Sequence, residues 1–352
     1  MGNILNNCPN TGLSLSQINF QNLEQSCVKP INIYLGVTLT SSSSRTSILY
    51  LTDISNIVIK SFDLEFNYTG ATSIHYNIKQ KKWICTAKGN SANRFAIGNS
   101  NSWNTITTQT NPFYTSGNKF IDSNQDFYLS VTTNTTSAPS IICYSNDGNN
   151  WTNINGISNI DQYEAGSSVR YGNNKFVVTL YPKSQTAVSK PSILISNKIN
   201  PTNGSDWISK NIFNVKCLSV EYGNNIWIVI GNHNNRLCCS ISNDNTATWS
   251  GIIIVNNTDN YSDRAQIFYG NNLWIITDGS SYYKSSNNGS SWSALSPPTN
   301  ISSLNGAKYI KDTWYFYGIG NSFAKTKDFK TWTYITIPLN MRVNSLSSDY
   351  IL

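Results

Sequence analysis

The stretch from Val220 to Trp249 reads VEYGNNIWIVIGNHNNRLCCSISNDNTATW. It opens on an aromatic–glycine pair, Tyr222-Gly223, and turns through Asn224-Asn225. An apolar run, Trp227–Ile230, follows, then a loop and a second apolar run. The stretch closes on Ser242-x-Asp244-x-Thr246-x-Thr248-Trp249. Asn accepts positive φ, so Asn-Asn between two apolar runs is hairpin chemistry. Short runs of β-branched and aromatic residues between turn residues read as antiparallel strands.

The unit recurs. Tyr269-Gly-Asn-Asn-x-Trp274 leads to Ser285-Ser-Asn-Asn-Gly-Ser-Ser-Trp292, and Tyr171-Gly-Asn-Asn-x-Phe176 leads to Trp207. Tyr309 and Trp314 lead to Thr326-Lys-Asp-Phe-Lys-Thr-Trp332. Upstream, Phe127 leads to Ser145-Asn-Asp-Gly-Asn-Asn-Trp151, and Trp83 to Trp103. All ten tryptophans fall on two positions of this unit, the second strand (83, 227, 274, 314) or its closing box (103, 151, 207, 249, 292, 332). A period of roughly 40–50 residues with about four strands per unit is the pattern of propeller blades.

Six full units end at the six box tryptophans. Ahead of them, Ile31–Leu39 and Ser47–Leu51 read as strands, and Leu51–Ile57 aligns with a box, so this unit lacks its innermost strand. Met341–Leu352 restarts the repeat and stops. The expected fold is therefore all-β, a seven-bladed β-propeller of four-stranded antiparallel blades. Its ring would be closed by pairing the N- and C-terminal strands in one blade, which leaves no bare edge. Residues 1–30 carry no repeat feature and read as an N-terminal arm; residues 31–352 form the propeller.

The boxes resemble those of the Asp-box (BNR) β-propellers, which read Ser/Thr-x-Asp-x-Gly-x-Thr-Trp and include sialidases and non-enzymatic assembly factors. Ser-to-Trp spacing is kept at 242–249 and 285–292, with Thr246 in place of Gly and Asn287 in place of Asp. The boxes at 145–151 and 326–332 are one residue shorter. The resemblance implies a structural box, whose polar residues cap a turn and whose Trp packs between blades, so that Trp249→Ala should cost about 3–5 kcal/mol. It also implies that the boxes lie on the rim away from the functional face. Sialidase chemistry is not implied. That group uses three arginines on the substrate carboxylate and an Arg-Ile-Pro motif, whereas this chain has only Arg45, Arg94, Arg170, Arg236, Arg264 and Arg342 and no such motif.

Composition bounds the rest. The chain has 352 residues, 39% hydrophobic and only 12% charged, with a net charge of +7 and its Lys and Arg scattered rather than clustered. A scattered excess argues against a nucleic-acid surface. Asn is about one residue in seven, and Asn, Ile, Lys and Tyr have AT-rich codons, which points to an AT-rich genome such as that of a large DNA virus or a protist. The amino terminus has no signal-peptide pattern and no apolar run reaches the ~18 residues of a membrane span, so a cytoplasmic or virion location is expected. Of seven cysteines, Cys85, Cys143, Cys217, Cys238 and Cys239 sit in apolar runs and read as reduced thiols; Cys8 and Cys27 leave a disulfide open. With no metal-ligand spacing, phosphate loop or nucleophile elbow, no metal or cofactor is expected.

By strand alternation the Asn-Asn hairpins share the box face. The opposite face carries the variable loops, where binding usually resides on a rigid scaffold. The candidate binding residues there are Tyr163, Glu164, His233, Arg236, Tyr261, Asp263 and Arg264, aromatic and charged types that anchor interfaces. The first reading is a non-enzymatic binding or structural module for a protein or glycan partner, such as a large-virus structural protein. The second is a glycoside hydrolase using Asp161, Glu164, Asp259 or Asp263, since such enzymes need two facing carboxylates. His75 and His233 lie far apart and read as solvated. Arg170, Glu221 and Lys308 each precede the repeat aromatic, which puts them on one side of their strands, towards a central channel, with Arg170 and Glu221 near enough to pair.

Overall fold

The computed structural model describes residues 33–39, 46–51, 59–64, 71–87, 93–98, 102–107, 118–132, 141–158, 160, 165–181, 191–213, 216–257, 264–279, 281–301, 303–320, 322–337 and 341–348. The expected arm at 1–30 and the Cys8–Cys27 pair lie outside these residues, as do the carboxylates Asp161 and Asp259.

Nearly all the described elements are strands. The first three, β1 (Ile33–Leu39), β2 (Thr46–Leu51) and β3 (Ile59–Leu64), pair in succession. A four-stranded sheet follows from β4 (Ala71–Asn77), β5 (Lys82–Ala87), β6 (Asn93–Gly98) and β7 (Trp103–Thr107). The next comprises β8 (Asn118–Ser123), β9 (Tyr128–Thr132), β10 (Ile142–Ser145) and β11 (Thr152–Asn153). Then come β12 (Ala165–Gly172), β13 (Lys175–Tyr181), β14 (Ile193–Ser196) and β15 (Trp207–Lys210). The stretch that opened the sequence analysis is β16 (Lys216–Gly223), β17 (Ile226–His233) and β18 (Arg236–Ser242), completed by β19 (Ile253–Ile254). Its successor is β20 (Gln266–Gly270), β21 (Leu273–Thr277), β22 (Tyr282–Ser285) and β23 (Ser293–Leu295). The last strands are β24 (Ser303–Ile310), β25 (Thr313–Ile319), β26 (Ser322–Thr326), β27 (Thr333–Thr336) and β28 (Met341–Ser348).

The expectation of seven separate four-stranded blades is corrected here. Hydrogen bonding divides the strands into six sheets, five of four strands and one of eight. The eight-stranded sheet arises because β28 pairs with β1 from Ile33↔Ser348 to Leu39↔Met341 and also with β25 at Ile319↔Arg342. That second backbone pairing joins β24–β27 to β28 and β1–β3 in one ladder, where the repeat had suggested two.

The second strands β9, β13 and β17 are buried on both faces, which is why they read as unbroken apolar runs rather than as alternating ones. Along β17, Trp227 and Val229 enter the core shared with the preceding sheet, beside Val177 and Ile195. Ile228 and Ile230 enter the core shared with the following sheet, beside Ile267 and Trp274. Cys238 and Cys239 divide in the same way, one to each core. All five described cysteines are buried free thiols. Burial pushes the Cys239 thiol up to about 12.

The hairpins form as the Asn-Asn pairs require. Asn224 and Asn225 have φ of 49° and 58°, and Asn271 and Asn272 have 49° and 55°. Positive φ at both central residues matches the twist of the flanking strands. The glycine before each hairpin has another role. A Cβ on Gly172 would lie 2.3 Å from the Tyr222 ring, and one on Gly223 would lie 2.1 Å from the Tyr269 ring. Each tyrosine is thus seated in a backbone notch of the preceding sheet. It leans on an aromatic of its own second strand, Tyr222 on Trp227 at 4.8 Å and Tyr269 on Trp274 at 4.7 Å. Its hydroxyl donates to the hairpin it introduces, at Asn225 and Asn272 respectively.

The closing turns cap themselves as expected. Thr246 N donates to Ser242 Oγ at 2.9 Å, Ser242 Oγ to Asp244 Oδ1 at 2.8 Å, and Thr248 N to the Asp244 carboxylate. The same pattern holds at Ser285/Asn287 and Thr326/Asp328. These hydrogen bonds hold the Asp244 and Asp328 carboxyls down to about 2.

Candidate functional site

First strands lie beside first strands: β4 by β8, β8 by β12, β12 by β16, β16 by β20 and β20 by β24, while β28 adjoins both β24 and β4. Together they line a cavity of about 300 Å³. Most of its ionisable residues come from one register position, the residue before the hairpin aromatic. Arg170, Glu221 and Lys308 occupy it, as the sequence pattern had placed them, and His75 occupies it ahead of Tyr76. Asp122 on β8, Gln266 on β20 and Asn344 on β28 complete the polar lining.

Arg170 Nε donates to Glu221 Oε2 at 3.0 Å, so the expected pair forms. Both carboxylates on this wall are anchored by the backbone. Asp122 accepts from Ser123 N at 2.9 Å and Tyr171 N at 2.7 Å, and Glu221 Oε1 accepts from Tyr222 N at 3.1 Å. Burial alone would lower the Arg170 pKa, but Glu221 and Asp122 outweigh it and hold the guanidinium firmly charged. Burial raises the Glu221 carboxyl, against the pull of Arg170 and Lys308. Lys308 opens onto the cavity. Enclosure by the cavity walls and the charge of Arg170 lower its pKa.

His75 is a wall residue of this cavity rather than a solvated one. Its Nε2 lies 2.7 Å from Ser123 Oγ and its Nδ1 lies 3.6 Å from Asp122 Oδ1. Serine, histidine and aspartate in this order suggest a nucleophile relay, but the geometry and proton affinity serve another end. The Asp122 contact is longer than a hydrogen bond, and Ser123 Oγ also accepts from Asn77 Nδ2 at 3.1 Å. Burial holds His75 down to about 4, with Asp122 opposing, so it is a weak base at neutral pH. The three residues tie β4 to β8.

A pH dependence follows. The unfolded imidazole takes up a proton near 6.5, whereas the folded one refuses it until about pH 4. Stability should therefore fall as pH drops through that window, by on the order of 3 kcal/mol in total. Denaturant titrations of the wild type and His75→Gln between pH 7 and 4 should diverge by about that amount, the variant being less pH-dependent. The difference isolates His75 from Glu221, whose raised carboxyl acts in both proteins. Parallel curves would mean that His75 is not held neutral by the fold.

The described loop-end candidates, His233, Arg236 and Arg264, do not line this cavity. His233 and Arg236 face each other in register across the β17–β18 hairpin, at the end of the strands away from Asn224-Asn225. Arg264 precedes β20 at the same end. Tyr163, Glu164, Tyr261 and Asp263 lie outside the described residues. His75 and Asp122 were missed in the sequence. His75 carries the same signal as Arg170, a residue before a strand-end aromatic, but Asp122 precedes Ser123 and has no such marker.

Residues 203–347 match the family described as the DUF6242 beta propeller domain. Solved structures agree over more of the chain. A structure of YCF48 from Cyanidioschyzon merolae superposes with a TM-score of 0.54 at 11% identity, covering 80% of this chain and 95% of that one. Another, described as YCF48 bound to D1 peptide, gives 0.51 at 12% identity over 75% and 81% of the two chains. A computationally designed protein, Ika8, gives 0.54 at 8% identity over 90% and 96%.

The chain is a β-propeller.

At these identities the structural likeness concerns the fold alone. No curated protein matches the chain in sequence. Among the described residues no helix is long and apolar enough to cross a membrane, and no three of His, Cys, Asp and Glu gather in a metal-holding group.

Proposed function

We propose that this propeller is a non-enzymatic binding module for a protein partner, engaged at the end of the strands that carries His233, Arg236 and Arg264. The carrying observation is how the other end is used. There the polar groups are committed to contacts between sheets: Lys175 Nζ donates to Asn245 O at 3.2 Å, Lys210 Nζ to Thr246 O at 2.9 Å, and Lys82 Nζ to Asp147 O at 3.1 Å. Asn245 Nδ2 reaches Asn173 O, and Asn224 Nδ2 reaches Asn288 Oδ1. A rim spent on its own cohesion leaves the opposite loops as the docking end, as is usual on rigid scaffolds. Tyr163, Glu164, Tyr261 and Asp263 belong to connections at that end and join the proposed surface.

A protein partner is preferred to a glycan because a propeller of this fold, YCF48, is described as bound to a peptide. The self-capping turns support an Asp-box type of propeller in which the box is structural. Virion and cytoplasmic settings are both compatible with this reading.

The test is affinity capture from lysate of the source cells with a paired set of baits. Arg236→Ala with Arg264→Ala should lower recovery of the partner about tenfold, the loss typical of an interface anchor. Asn224→Gly with Asn271→Gly, which keep the hairpin geometry, should leave recovery unchanged. Equal losses in both sets would overturn the assignment of the docking end. Glycoside hydrolysis by the purified chain, abolished by Asp161→Asn or Asp263→Asn, would replace a binding module with an enzyme.

A further inference from the structure

The charges of the central cavity are unevenly divided. On one wall the adjoining strands β8, β12 and β16 bring two carboxylates, Asp122 and Glu221, against one guanidinium, Arg170. That wall has a surplus of one negative charge. Lys308 stands on β24, whose neighbours are β20 and β28, and supplies the compensating positive charge from elsewhere on the lining. The cavity is thus neutral as a whole and bipolar within.

Its hydrogen bonding is incomplete in the same sense. Arg170 meets Glu221 through Nε, one of the five donors of its guanidinium. Among the described residues Lys308 forms no direct hydrogen bond, although Glu221 and Asp122 act on its charge through space. The carboxylate oxygens of Asp122 and Glu221 each hold one donor and have lone pairs left for a second. A lone anion would add to the two carboxylates already present, and a lone cation to Arg170 and Lys308. A doubly charged phosphate would be opposed more strongly still.

We propose that this cavity is a binding site for a small zwitterion of the amino-carboxylate class. Its carboxylate meets Lys308, and its ammonium turns to the Asp122–Glu221 wall. The ligand and the cavity are then each neutral and oppositely polarised, so every charge gains a partner of opposite sign in a partly enclosed, polar cavity. A volume of about 300 Å³ is at the small end for ligand sites and suits a molecule of amino-acid size. His75 stays neutral here and does not upset the balance. This site is separate from the docking end, and its failure would leave that reading intact.

The experiment is calorimetric titration of the full chain with glycine, β-alanine and γ-aminobutyrate, which step the distance between ammonium and carboxylate. Acetate and methylammonium serve as single-ended controls, and inorganic phosphate as a plain anion. One of the three amino acids should saturate at one site per chain. Acetate, methylammonium and phosphate should each bind at least about tenfold more weakly. Lys308→Met removes a cation at an exposed position and should still fold; Glu221→Gln keeps an acceptor for Arg170. Each should weaken the amino acid about tenfold, with melting temperature recorded to show that the fold is intact. The proposal is overturned if acetate or phosphate binds as tightly as the amino acids, if none of the three saturates below about 10 mM, or if folded Lys308→Met binds as the wild type does.

Discussion

A chain ending at residue 340 is expected to lose its single cooperative unfolding transition. The removed strand, β28, touches more of the fold than any repeat unit would suggest. It pairs with β1 along its length and meets β25 at Ile319↔Arg342. On the other side Asn344 Nδ2 donates to Ala71 O at 2.7 Å, and Ser345 Oγ accepts from Ile74 N at 3.1 Å. Asn305 Nδ2, on β24, donates to Val343 O at 2.7 Å. Val343 and Leu346 also sit in the core with Ile33, Tyr315 and Tyr317. Without β28, β1 presents an unpaired edge, and such an edge templates aggregation. Denaturant unfolding followed by fluorescence and by circular dichroism should give broad, non-coincident curves for the shortened chain, and its solubility should drop. A sharp transition at the wild-type midpoint would show that β28 is dispensable.

The second large effect falls on Trp274. Its side chain is fully buried among Ile228, Ile230, Ile267 and Ile276, leans on Tyr269, and donates from Nε1 to Asn288 Oδ1 at 3.4 Å. Trp274→Ala should cost about 3–5 kcal/mol, as large-to-small changes in a packed core do. Trp249→Ala should cost less, because Trp249 is only half-buried. Reading the sequence alone assigned the larger figure to Trp249, since the closing box is the more visible motif. The structure shifts it to the second strand, where Trp227, Trp274 and Trp314 are among the largest fully buried side chains. Chemical denaturation of the two variants side by side decides between them; an equal or reversed order would contradict the burial argument.

The strands were legible because the signals that mark them are local. Two asparagines fix a hairpin, and ten tryptophans fix the phase of the repeat. The division into sheets was not, because the link between β25 and β28 is one backbone pairing, Ile319↔Arg342, that depends on no particular side chain. Three of the four charged residues of the cavity, Arg170, Glu221 and Lys308, were legible through strand phase. Asp122 was not, since β8 ends on Ser123 where its counterparts have tyrosine. His75 carried the right phase but resembled a surface residue, and only the approach of β8 makes it a half-buried neutral imidazole. Four of the loop-end residues, Tyr163, Glu164, Tyr261 and Asp263, remain expectations of the sequence.

The tyrosine seated over glycine also governs how such a chain can diverge. Sheets are indexed to one another at the hairpin end, where Tyr222 sits over Gly172 and Tyr269 over Gly223. Their mutual angle is therefore set without reference to the connections at the far end. The chain passes from β17 to β18 between His233 and Arg236, yet takes from Tyr181 to Ile193 to pass from β13 to β14. Both crossings hang from strands already held in register, so extra length there costs only a loop entropy that grows with the logarithm of its size. One end behaves as a clasp and the other as a set of interchangeable fittings. A lineage can exchange the fittings while the clasp goes unaltered.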